Sequence, residues 1–347
     1  MELPGLPLSL REVTAVKNTI KGAFYGATVG DALGGPVELM SAGEIREKYG
    51  VLKDMVGGGW LNLEPGEYTD DTQMTLTVAR GILANPVSPI EEIGRRFIRW
   101  YQSRPKDIGN TTLMSFRNFL RTGNWQEASR LTAQALNKLD SNGGLMRTLP
   151  VSFGYWHNLP AMAKWSVEIA YMTHYSQEGA ACCLFYNLLI YLLGSQRHLN
   201  RREAVTRALH LTDQYCKQVG IQPSKFFWYI IRHIQKGAPE VVPRGSALDT
   251  LAAALQCFLN TESFEDALIT VVNRGDDTDT AGTVTGGLAG TYYGFEAIPQ
   301  RWLKELKNTE PLDEVIEGFY QLIKSREHNP DPAAPADHSR AWPTCWS

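Results

Sequence analysis

Apolar side chains recur at intervals of three and four residues along most of the chain. The segment that starts at Ile90 shows the pattern well, since Ile93, Phe97, Trp100 and Tyr101 fall on one helical face with it. This spacing is typical of amphipathic helices with one buried side. The sequence contains no succession of alternating β-branched runs and no Asn-Gly turn between two such runs. The pattern therefore predicts an all-α protein of about a dozen helices in one domain.

Polar residues mark the starts of several of these helices. Asn200 is followed three residues later by Glu203, and Ser263 is followed three residues later by Asp266. Each pair can satisfy backbone N–H groups that have no partner in a first helical turn. Helices are therefore predicted to begin just after Asn200 and just after Ser263.

Glycine recurs at every fourth position in two distant segments. The first stripe is Gly22, Gly26, Gly30 and Gly34, and the second is Gly282, Gly286, Gly290 and Gly294. A glycine inside a helix costs roughly 1 kcal/mol relative to alanine, so a compensating interaction is expected. A glycine column on one helical face lets another backbone approach closely. We therefore predict that both striped helices are tightly packed in the core.

The composition fits a folded protein and excludes several functional classes. Of the 347 residues, 43% are hydrophobic and 20% are charged, and the formal net charge is -3. No run of Lys and Arg occurs, so no nucleic-acid partner is expected. The N-terminus lacks the apolar stretch of a signal peptide. The longest apolar run, residues 180–194, is too short to span a membrane and predicts a buried helix.

The cysteines and the C-terminal segment set two further expectations. Five cysteines without CxxC spacing indicate neither a disulfide framework nor a structural zinc site, so we expect a reducing, cytoplasmic location. Residues 326–347 are rich in proline and polar residues and predict a disordered tail. The folded domain is accordingly predicted to span residues 14–325.

Two acidic clusters lie where helices are predicted to start. The first is Thr69-Asp70-Asp71-Thr72, and the second is Asp276-Asp277-Thr278-Asp279-Thr280. Capping explains part of the pattern, because carboxylates in a first turn interact favourably with the helix dipole. Three aspartates within four residues repel one another more than capping requires, and a divalent cation would offset that repulsion. Carboxylates and hydroxyls are hard ligands suited to Mg²⁺ or Mn²⁺, and together the clusters offer ligands for two metals.

Several segments, taken in order, resemble the ADP-ribosylglycohydrolase family. They are GDALGGPVE (30–38), GGGWLNLEPGEYTDDTQM (57–74), SRPKDIGNT (103–111), SNGGLMRTLP (141–150), TH (173–174) and NRGDDTDTAGTVTGGLAGTYYG (273–294). The resemblance runs from about Gly22 to Leu306, nearly the whole predicted domain. It implies an all-α orthogonal bundle with a binuclear metal centre, holding Mn²⁺ or Mg²⁺, at the base of a cleft.

The resemblance also implies a set of metal-binding and catalytic residues. Glu38 matches the family glutamate near the metals, and Asp107 matches an acidic residue beside the scissile bond, so both are assigned to catalysis. Asp276 stands where relatives commonly have glycine and is left out of the ligand set. The metal ligands that the resemblance implies are Thr69, Asp70, Asp71, Asp277, Asp279 and Thr280.

A third group of residues matches the family's contacts with ADP-ribose. These residues are Asn110, Asn142, Gly143, Met146, Arg147 and His174. Taken singly, each position also has a plain structural interpretation: residues 141–144 as a turn, Arg147 as an exposed cation, His174 as a core histidine and Asp107 as a loop residue. Ser246 departs from the family, which places a tyrosine near the nucleotide there. A ring from the 60s loop or from Tyr155 would have to replace that tyrosine.

The implied activity is metal-dependent hydrolysis of the bond between ADP-ribose and a modified acceptor. In the members that the chain most resembles, the acceptor is an arginine of the nitrogenase iron protein, and hydrolysis reverses its inactivation. We therefore expect that ADP-ribosylated protein as substrate, ADP-ribose as product, and a regulatory signalling protein as a further partner. Two alternatives stay open. One is a hydrolase of another ADP-ribosyl linkage, to serine, O-acetyl or a nucleic-acid end; the other is a non-catalytic ADP-ribose-binding or toxin-immunity protein.

Overall fold

The computed structural model describes residues 10–136 and 140–327, and within these ranges it contains helices but no strand. Three short 3-10 helices occupy Gly35–Val37, Asn142–Gly144 and Phe295–Ala297. The sixteen α-helices are α1 (Leu10–Gly34), α2 (Ala42–Tyr49), α3 (Asp70–Ala84), α4 (Ile90–Gln102), α5 (Asn110–Thr122), α6 (Trp125–Leu136), α7 (Pro150–Gly154), α8 (Leu159–Tyr171), α9 (Gln177–Ser195), α10 (Arg201–Val219), α11 (Phe226–His233), α12 (Ala247–Asn260), α13 (Phe264–Val272), α14 (Thr278–Tyr293), α15 (Gln300–Glu305) and α16 (Glu310–Glu327).

The predicted all-α class is confirmed, and the structure has more helices than the sequence pattern indicated. Four of the sixteen, α2, α7, α11 and α15, are only five to eight residues long. Helices this short complete too few turns to give a periodic pattern of their own. Both predicted starts are confirmed, since Asn200 and Glu203 form a capping box and the Ser263 hydroxyl accepts from the Asp266 N–H.

Helix α9 forms the centre of the core. It packs against α8, α10, α12 and α14, and nearly all of its side chains are buried. Its length and apolar composition would also allow it to cross a membrane, but here its surface is covered by these neighbouring helices. The prediction of a buried helix is confirmed. The four cysteines among the described residues, Cys182, Cys183, Cys216 and Cys257, are buried free thiols.

The two glycine stripes pack against each other. A Cβ added at Gly30 would lie 2.0 Å from the carbonyl oxygen of Gly282, so the backbones of α1 and α14 are in direct contact. The predicted close packing is confirmed, and each stripe proves to be the partner of the other. At the end of α1, the Thr278 hydroxyl donates to the Gly34 carbonyl at 2.9 Å. This contact fixes the start of α14 next to the segment that carries Glu38.

The C-terminal boundary differs slightly from the prediction. Helix α16 continues through Arg326 to Glu327, and the Arg326 guanidinium donates to the Gly154 carbonyl at 3.2 Å. The start of the tail, predicted at residue 326, therefore falls inside a helix that is anchored to α7. The predicted disorder of the later residues lies outside the described part of the chain and stays a prediction.

Candidate metal centre

The start of α3 is held by a buried carboxylate from α1. Asp31 accepts hydrogen bonds from the Thr69 backbone N–H at 3.0 Å and hydroxyl at 2.8 Å, and from the Thr72 N–H at 3.0 Å and hydroxyl at 2.6 Å. Thr69 is the N-cap, as predicted, and its hydroxyl accepts from the Asp71 N–H. Asp70 and Asp71 are thereby fixed in a buried first turn.

The start of α14 is fixed by backbone hydrogen bonds to Asp276 and by the side-chain amide of Asn142. The Asp276 N–H donates to the Met40 carbonyl at 2.7 Å, and the Leu39 N–H donates to the Asp276 carbonyl at 2.8 Å. Asp276 has a φ of +66°, in the region that favours glycine. Asp277 is the N-cap, and instead of capping the helix its Oδ2 accepts from the Asn142 amide at 2.9 Å.

The two helix starts face each other. In the first turn of α14, the Thr280 hydroxyl donates to Asp71 Oδ2 at 3.3 Å. The Asn142 amide, which holds the second start, also donates to the Thr250 hydroxyl of α12 at 2.9 Å. The structure thus brings together the two acidic clusters that the sequence separates.

Two further carboxylates complete the cluster. One carboxylate oxygen from each of Glu38, Asp107 and Asp279 lies within 4.8 Å of the other two, at a separation that could hold a metal ion. Asp107 is also a neighbour of Asp70, because the charge of Asp107 contributes to the raised pKa of the Asp70 carboxyl. Glu38 and Asp107 are half-buried, whereas Asp70 and Asp279 are buried. The cluster is therefore open to solvent on the side of Glu38 and Asp107.

Burial and the repulsion between neighbouring carboxylates both raise the pKa values in this cluster, and burial is the larger cause. Burial raises the pKa of Asp70, Asp71 and Asp279 well above the usual range, and neighbouring carboxylates raise it further. Burial also raises the pKa of Glu38 to about 8, aided by the charges of nearby aspartates and opposed by a hydrogen bond from Trp60. The acidic centre is defined here as Asp31, Glu38, Asp70, Asp71, Asp107, Asp277 and Asp279.

The acidic centre fits divalent cations. None of the ion pairs among the described residues involves any of its carboxylates. Asp71 Oδ1 is buried and has no hydrogen-bond partner within the described ranges. An uncompensated buried carboxylate oxygen is costly, and a cation would satisfy it. Carboxylate and hydroxyl oxygens are the ligands that Mg²⁺ and Mn²⁺ prefer.

Gly143 and His174 lie in direct contact. A Cβ at Gly143 would lie 2.8 Å from both Cε1 and Nε2 of the His174 ring, so glycine is required for this approach. The His174 Nδ1 is hydrogen-bonded to the Thr173 hydroxyl at 2.7 Å. Burial, with a smaller contribution from the charge of Arg147, lowers the pKa of His174 well below its usual value. The imidazole is therefore neutral, with Nε2 directed toward the backbone at Gly143.

Arg147 is fully buried, so the alternative of an exposed cation is wrong. Its Nη2 donates to the Thr173 hydroxyl at 2.5 Å and to the Ile169 carbonyl at 3.4 Å, and its guanidinium lies 4.8 Å from the centre of the Phe97 ring. Burial lowers its pKa to about 10. Through Thr173 these contacts support His174. The predicted contact between Arg147 and ADP-ribose stays a prediction.

Two other residues that are predicted to contact ADP-ribose lie in different environments. Asn110 is the first residue of α5 and is exposed. Met146 is buried, and its carbonyl accepts from the Thr75 hydroxyl of α3 at 3.3 Å. Asn110 is therefore accessible to a ligand, whereas Met146 contributes its backbone to the support of α3.

Tyr155 does not supply the aromatic ring that Ser246 lacks. The Tyr155 ring is buried, and its hydroxyl donates to the Pro86 carbonyl at 2.9 Å. Ser246 instead caps α12, where its hydroxyl accepts from the Asp249 N–H at 3.0 Å. Ser246 therefore serves the start of α12.

Sequence reasoning assigned no support role to Asp31, and it considered Trp60 only as the ring of the 60s loop that could replace the family tyrosine. Asp31 supports the whole α3 start, and the Trp60 indole N–H donates to Glu38 Oε2 at 2.7 Å. A signal for Asp31 was present, because a charged residue inside a glycine-striped helix is unusual unless it has buried partners. Trp60 gave no such signal, since aromatic residues in loops are common.

The fold and the acidic centre agree with a family assignment. A sequence model of the family described as ADP-ribosylglycohydrolase matches residues 12–329. The chain belongs to the ADP-ribosylglycohydrolase family, whose members are hydrolases that act on ADP-ribosylated substrates. A solved structure described as an ADP-ribosylglycohydrolase-related protein complex superposes with a TM-score of 0.71 at 30% identity, covering 89% of this chain and 99% of that one.

Three individual relatives are similar to the chain over most of its length. The ADP-ribosyl-[dinitrogen reductase] glycohydrolase of Rhodospirillum rubrum is 33% identical over 84% of this chain and 91% of its own length. The ADP-ribosylarginine hydrolase Tri1 of Serratia proteamaculans is 30% identical over 88% of this chain and 80% of its own length. The ADP-ribosylhydrolase ARH3 of Mus musculus is 24% identical over 88% of this chain and 91% of its own length.

Proposed function

We propose that the protein removes ADP-ribose from arginine on a modified protein, with two divalent cations, Mn²⁺ or Mg²⁺, in the acidic centre. The observation that carries the proposal is the meeting of Glu38, Asp107 and Asp279, whose ligand atoms lie within 4.8 Å of one another. Two of these carboxylates are half-buried, so a substrate can approach them. A guanidinium is a delocalised cation that pairs well with carboxylates.

The residues of the site would have separate roles in the reaction. Bound cations would supply polarisation of the ribose hydroxyls and activation of a water molecule. Asp107 would hold or move a proton at the departing nitrogen, as a general acid–base group, and Glu38 would orient the guanidinium beside it. The Asn142 amide keeps Asp277 in position through its 2.9 Å hydrogen bond. The neutral His174, fixed by Thr173, would contact the ADP-ribose together with the Gly143 backbone on which its ring packs.

The arginine acceptor is supported by the names of two relatives. The Rhodospirillum rubrum relative acts on dinitrogen reductase, and the Serratia proteamaculans relative is an ADP-ribosylarginine hydrolase. We extend the first substrate to this chain and propose the ADP-ribosylated nitrogenase iron protein as its partner. A regulatory signalling protein that controls access to this partner is part of the same proposal.

A parallel release assay tests the acceptor. The protein, supplied with Mn²⁺, is incubated with arginine-ADP-ribosylated nitrogenase iron protein and, separately, with a serine-ADP-ribosylated peptide. Release of ADP-ribose from the first substrate is expected. Release from the peptide alone would overturn the arginine assignment, and release from neither would favour a non-catalytic ADP-ribose-binding protein.

A further inference from the structure

Trp60 is a large apolar side chain exposed beside the acidic centre. Its side chain is 55% exposed, yet its indole N–H donates to Glu38 Oε2 at 2.7 Å. The same carboxyl group lies within 4.8 Å of Asp107 and Asp279. The indole therefore lies next to the reacting region without being part of the core. Burying such a ring is favourable, so its exposure calls for an explanation.

The loop that carries Trp60 is fixed rather than loosely attached. Gly59 has a φ of +71°, and a Cβ there would lie 2.8 Å from the Pro36 carbonyl oxygen, so this loop packs on the backbone just before Glu38. At its other end, the Gly66 carbonyl accepts from the Lys307 N–H at 3.0 Å. The ring is thus held at a set position relative to Glu38, and its exposed surface is available before any substrate arrives.

We propose that Trp60 is the acceptor-recognition residue: the guanidinium of the ADP-ribosylated arginine packs on its exposed indole face while Glu38 and Asp107 balance the charge. This inference rests on the arginine acceptor proposed above. An arginine guanidinium is planar and weakly hydrated, and it stacks on aromatic faces, with tryptophan the strongest partner. A serine or O-acetyl acceptor carries no cation and gains nothing from this surface.

The geometry assigns separate roles to the two parts of the indole. The N–H is already used by Glu38, which fixes the orientation of the ring. The π face is the part left exposed. Recognition through the face predicts that an aromatic replacement without the N–H retains most of the function, whereas an aliphatic replacement does not.

The test compares Trp60→Leu, Trp60→Phe and a matched control, Trp228→Leu. Trp228 is 52% exposed and lies on α11, where its ring contacts that of Tyr229. Two quantities are measured with the full-length, Mn²⁺-loaded protein. One is kcat/KM for release from arginine-ADP-ribosylated protein. The other is the Kd of agmatine, which carries a guanidinium, in the presence of saturating ADP-ribose.

We expect Trp60→Leu to lower kcat/KM by about 5- to 30-fold, mainly through KM, and to weaken agmatine binding by a similar factor. Trp60→Phe should stay within about threefold of wild type, because it keeps a ring, and Trp228→Leu should not differ from wild type. The affinity for ADP-ribose alone should be unchanged in all three variants.

Different results overturn different statements. If arginine-linked ADP-ribose is released and Trp60→Leu changes neither quantity, the Trp60 proposal is wrong while the proposed function stands. If Trp60→Phe is as impaired as Trp60→Leu, the hydrogen bond to Glu38 is responsible and the π-face proposal is wrong. If wild type releases nothing from arginine but binds agmatine in a Trp60-dependent way, the proposed function is wrong and the guanidinium surface stands.

Discussion

The two acidic helix starts look alike in sequence but are supported in different ways. At α3, one buried carboxylate, Asp31, accepts four hydrogen bonds from Thr69 and Thr72. At α14, the support is neutral, because backbone groups pair with Asp276 and the Asn142 amide donates to Asp277. The support of the first start adds negative charge to the acidic centre, whereas the support of the second does not.

This difference predicts which of the two helix starts, that of α3 or that of α14, depends more on bound cations. Without cations, α3 has Asp70 and Asp71 in its first turn and Asp31 directly behind them, and no positive side chain among the described residues pairs with any of the three. Like charges at short range are unfavourable, more so when buried. The α3 start should therefore loosen first when metal is removed.

Metal removal should have the largest effect. Chelation is expected to abolish hydrolysis, addition of Mn²⁺ or Mg²⁺ should restore it, and the melting temperature should fall because the folded state no longer has a ligand that binds it specifically. Hydrogen exchange should increase more in the first turn of α3 than in that of α14. Full activity after chelation and dialysis would remove cations from the mechanism, and equal exchange at both starts would contradict the comparison.

Asp279→Asn separates a metal ligand from a helix-start residue. Asp277 occupies the N-cap position of α14 without a side-chain cap, and Asp279 Oδ1 accepts from the Thr280 N–H at 2.8 Å, a bond that the asparagine oxygen can keep. Loss of a ligand charge should reduce kcat by at least about 10³-fold, since a cation contributes several kcal/mol to such reactions. Metal affinity, measured by calorimetric titration, should fall as well.

Asp276→Gly is the matched control for Asp279→Asn. Asp276 belongs to the same cluster but has a φ of +66°, a conformation that glycine adopts readily. We expect activity and metal affinity close to wild type and a stability within about 1 kcal/mol of it. Similar losses in both variants would mean that the total charge of the cluster matters rather than ligation by Asp279.

Asp107→Asn probes the residue that connects the two sides. Asp107 neighbours Asp70 of α3, whose pKa its charge raises, and one of its carboxylate oxygens lies within 4.8 Å of oxygens of Asp279 of α14 and of Glu38. If Asp107 transfers a proton in the reaction, its replacement by asparagine should lower kcat by about 10²- to 10³-fold, with little change in the Kd for ADP-ribose. Bound metal, counted by elemental analysis, is the deciding measurement. Loss of metal from this variant would make Asp107 a ligand, and unchanged kcat would remove it from the reaction.

Asp31→Asn should have the smallest effect on turnover and a clear effect on stability. Asparagine keeps one acceptor oxygen and presents an NH₂ group to buried donors, so the free energy of unfolding should fall by about 1–3 kcal/mol. Loss of support behind the ligands should reduce metal affinity by about 10- to 100-fold. Denaturant unfolding and metal titration measure the two effects.

A pair of threonine variants sharpens the Asp31 experiment. Thr72→Val removes one donor to Asp31, whereas the Thr283 hydroxyl is equally buried but has no partner among the described residues. Thr72→Val should therefore destabilise the protein, and Thr283→Val should be neutral or slightly stabilising. Equal destabilisation by both would show that the Asp31 network contributes little.

The helical class and the positions of both acidic starts were readable from local sequence. Thr69 and Ser263 are helix caps whose roles depend only on the next few residues, and the glycine stripes follow from helical spacing alone. The burial of Arg147 was not readable, because its partners, Thr173 and the Phe97 ring, come from other parts of the chain. Local patterns predict local elements, and long-range partners become visible only in the fold.

The same limit explains what was missed around the acidic centre. Asp31 lies inside the first glycine stripe, but its four donors are on Thr69 and Thr72, which follow 38 and 41 residues later. Trp60 was part of a loop with no periodic pattern, and its position beside Glu38 depends on how that loop packs on Pro36. Both roles follow from contacts between segments rather than from residue type.

The distance along the chain between the two acidic helix starts has a consequence for biosynthesis. Thr280 and Asp71 are 209 residues apart. The first glycine stripe likewise packs against the second, which is synthesised much later. At a translation rate of about 5–20 residues per second, α14 leaves the ribosome roughly 10 to 40 seconds after α3. A nascent chain that stops before Thr278 has only one side of the acidic centre and leaves α1 without its partner. The acidic centre is therefore complete only after most of the sequence has been synthesised.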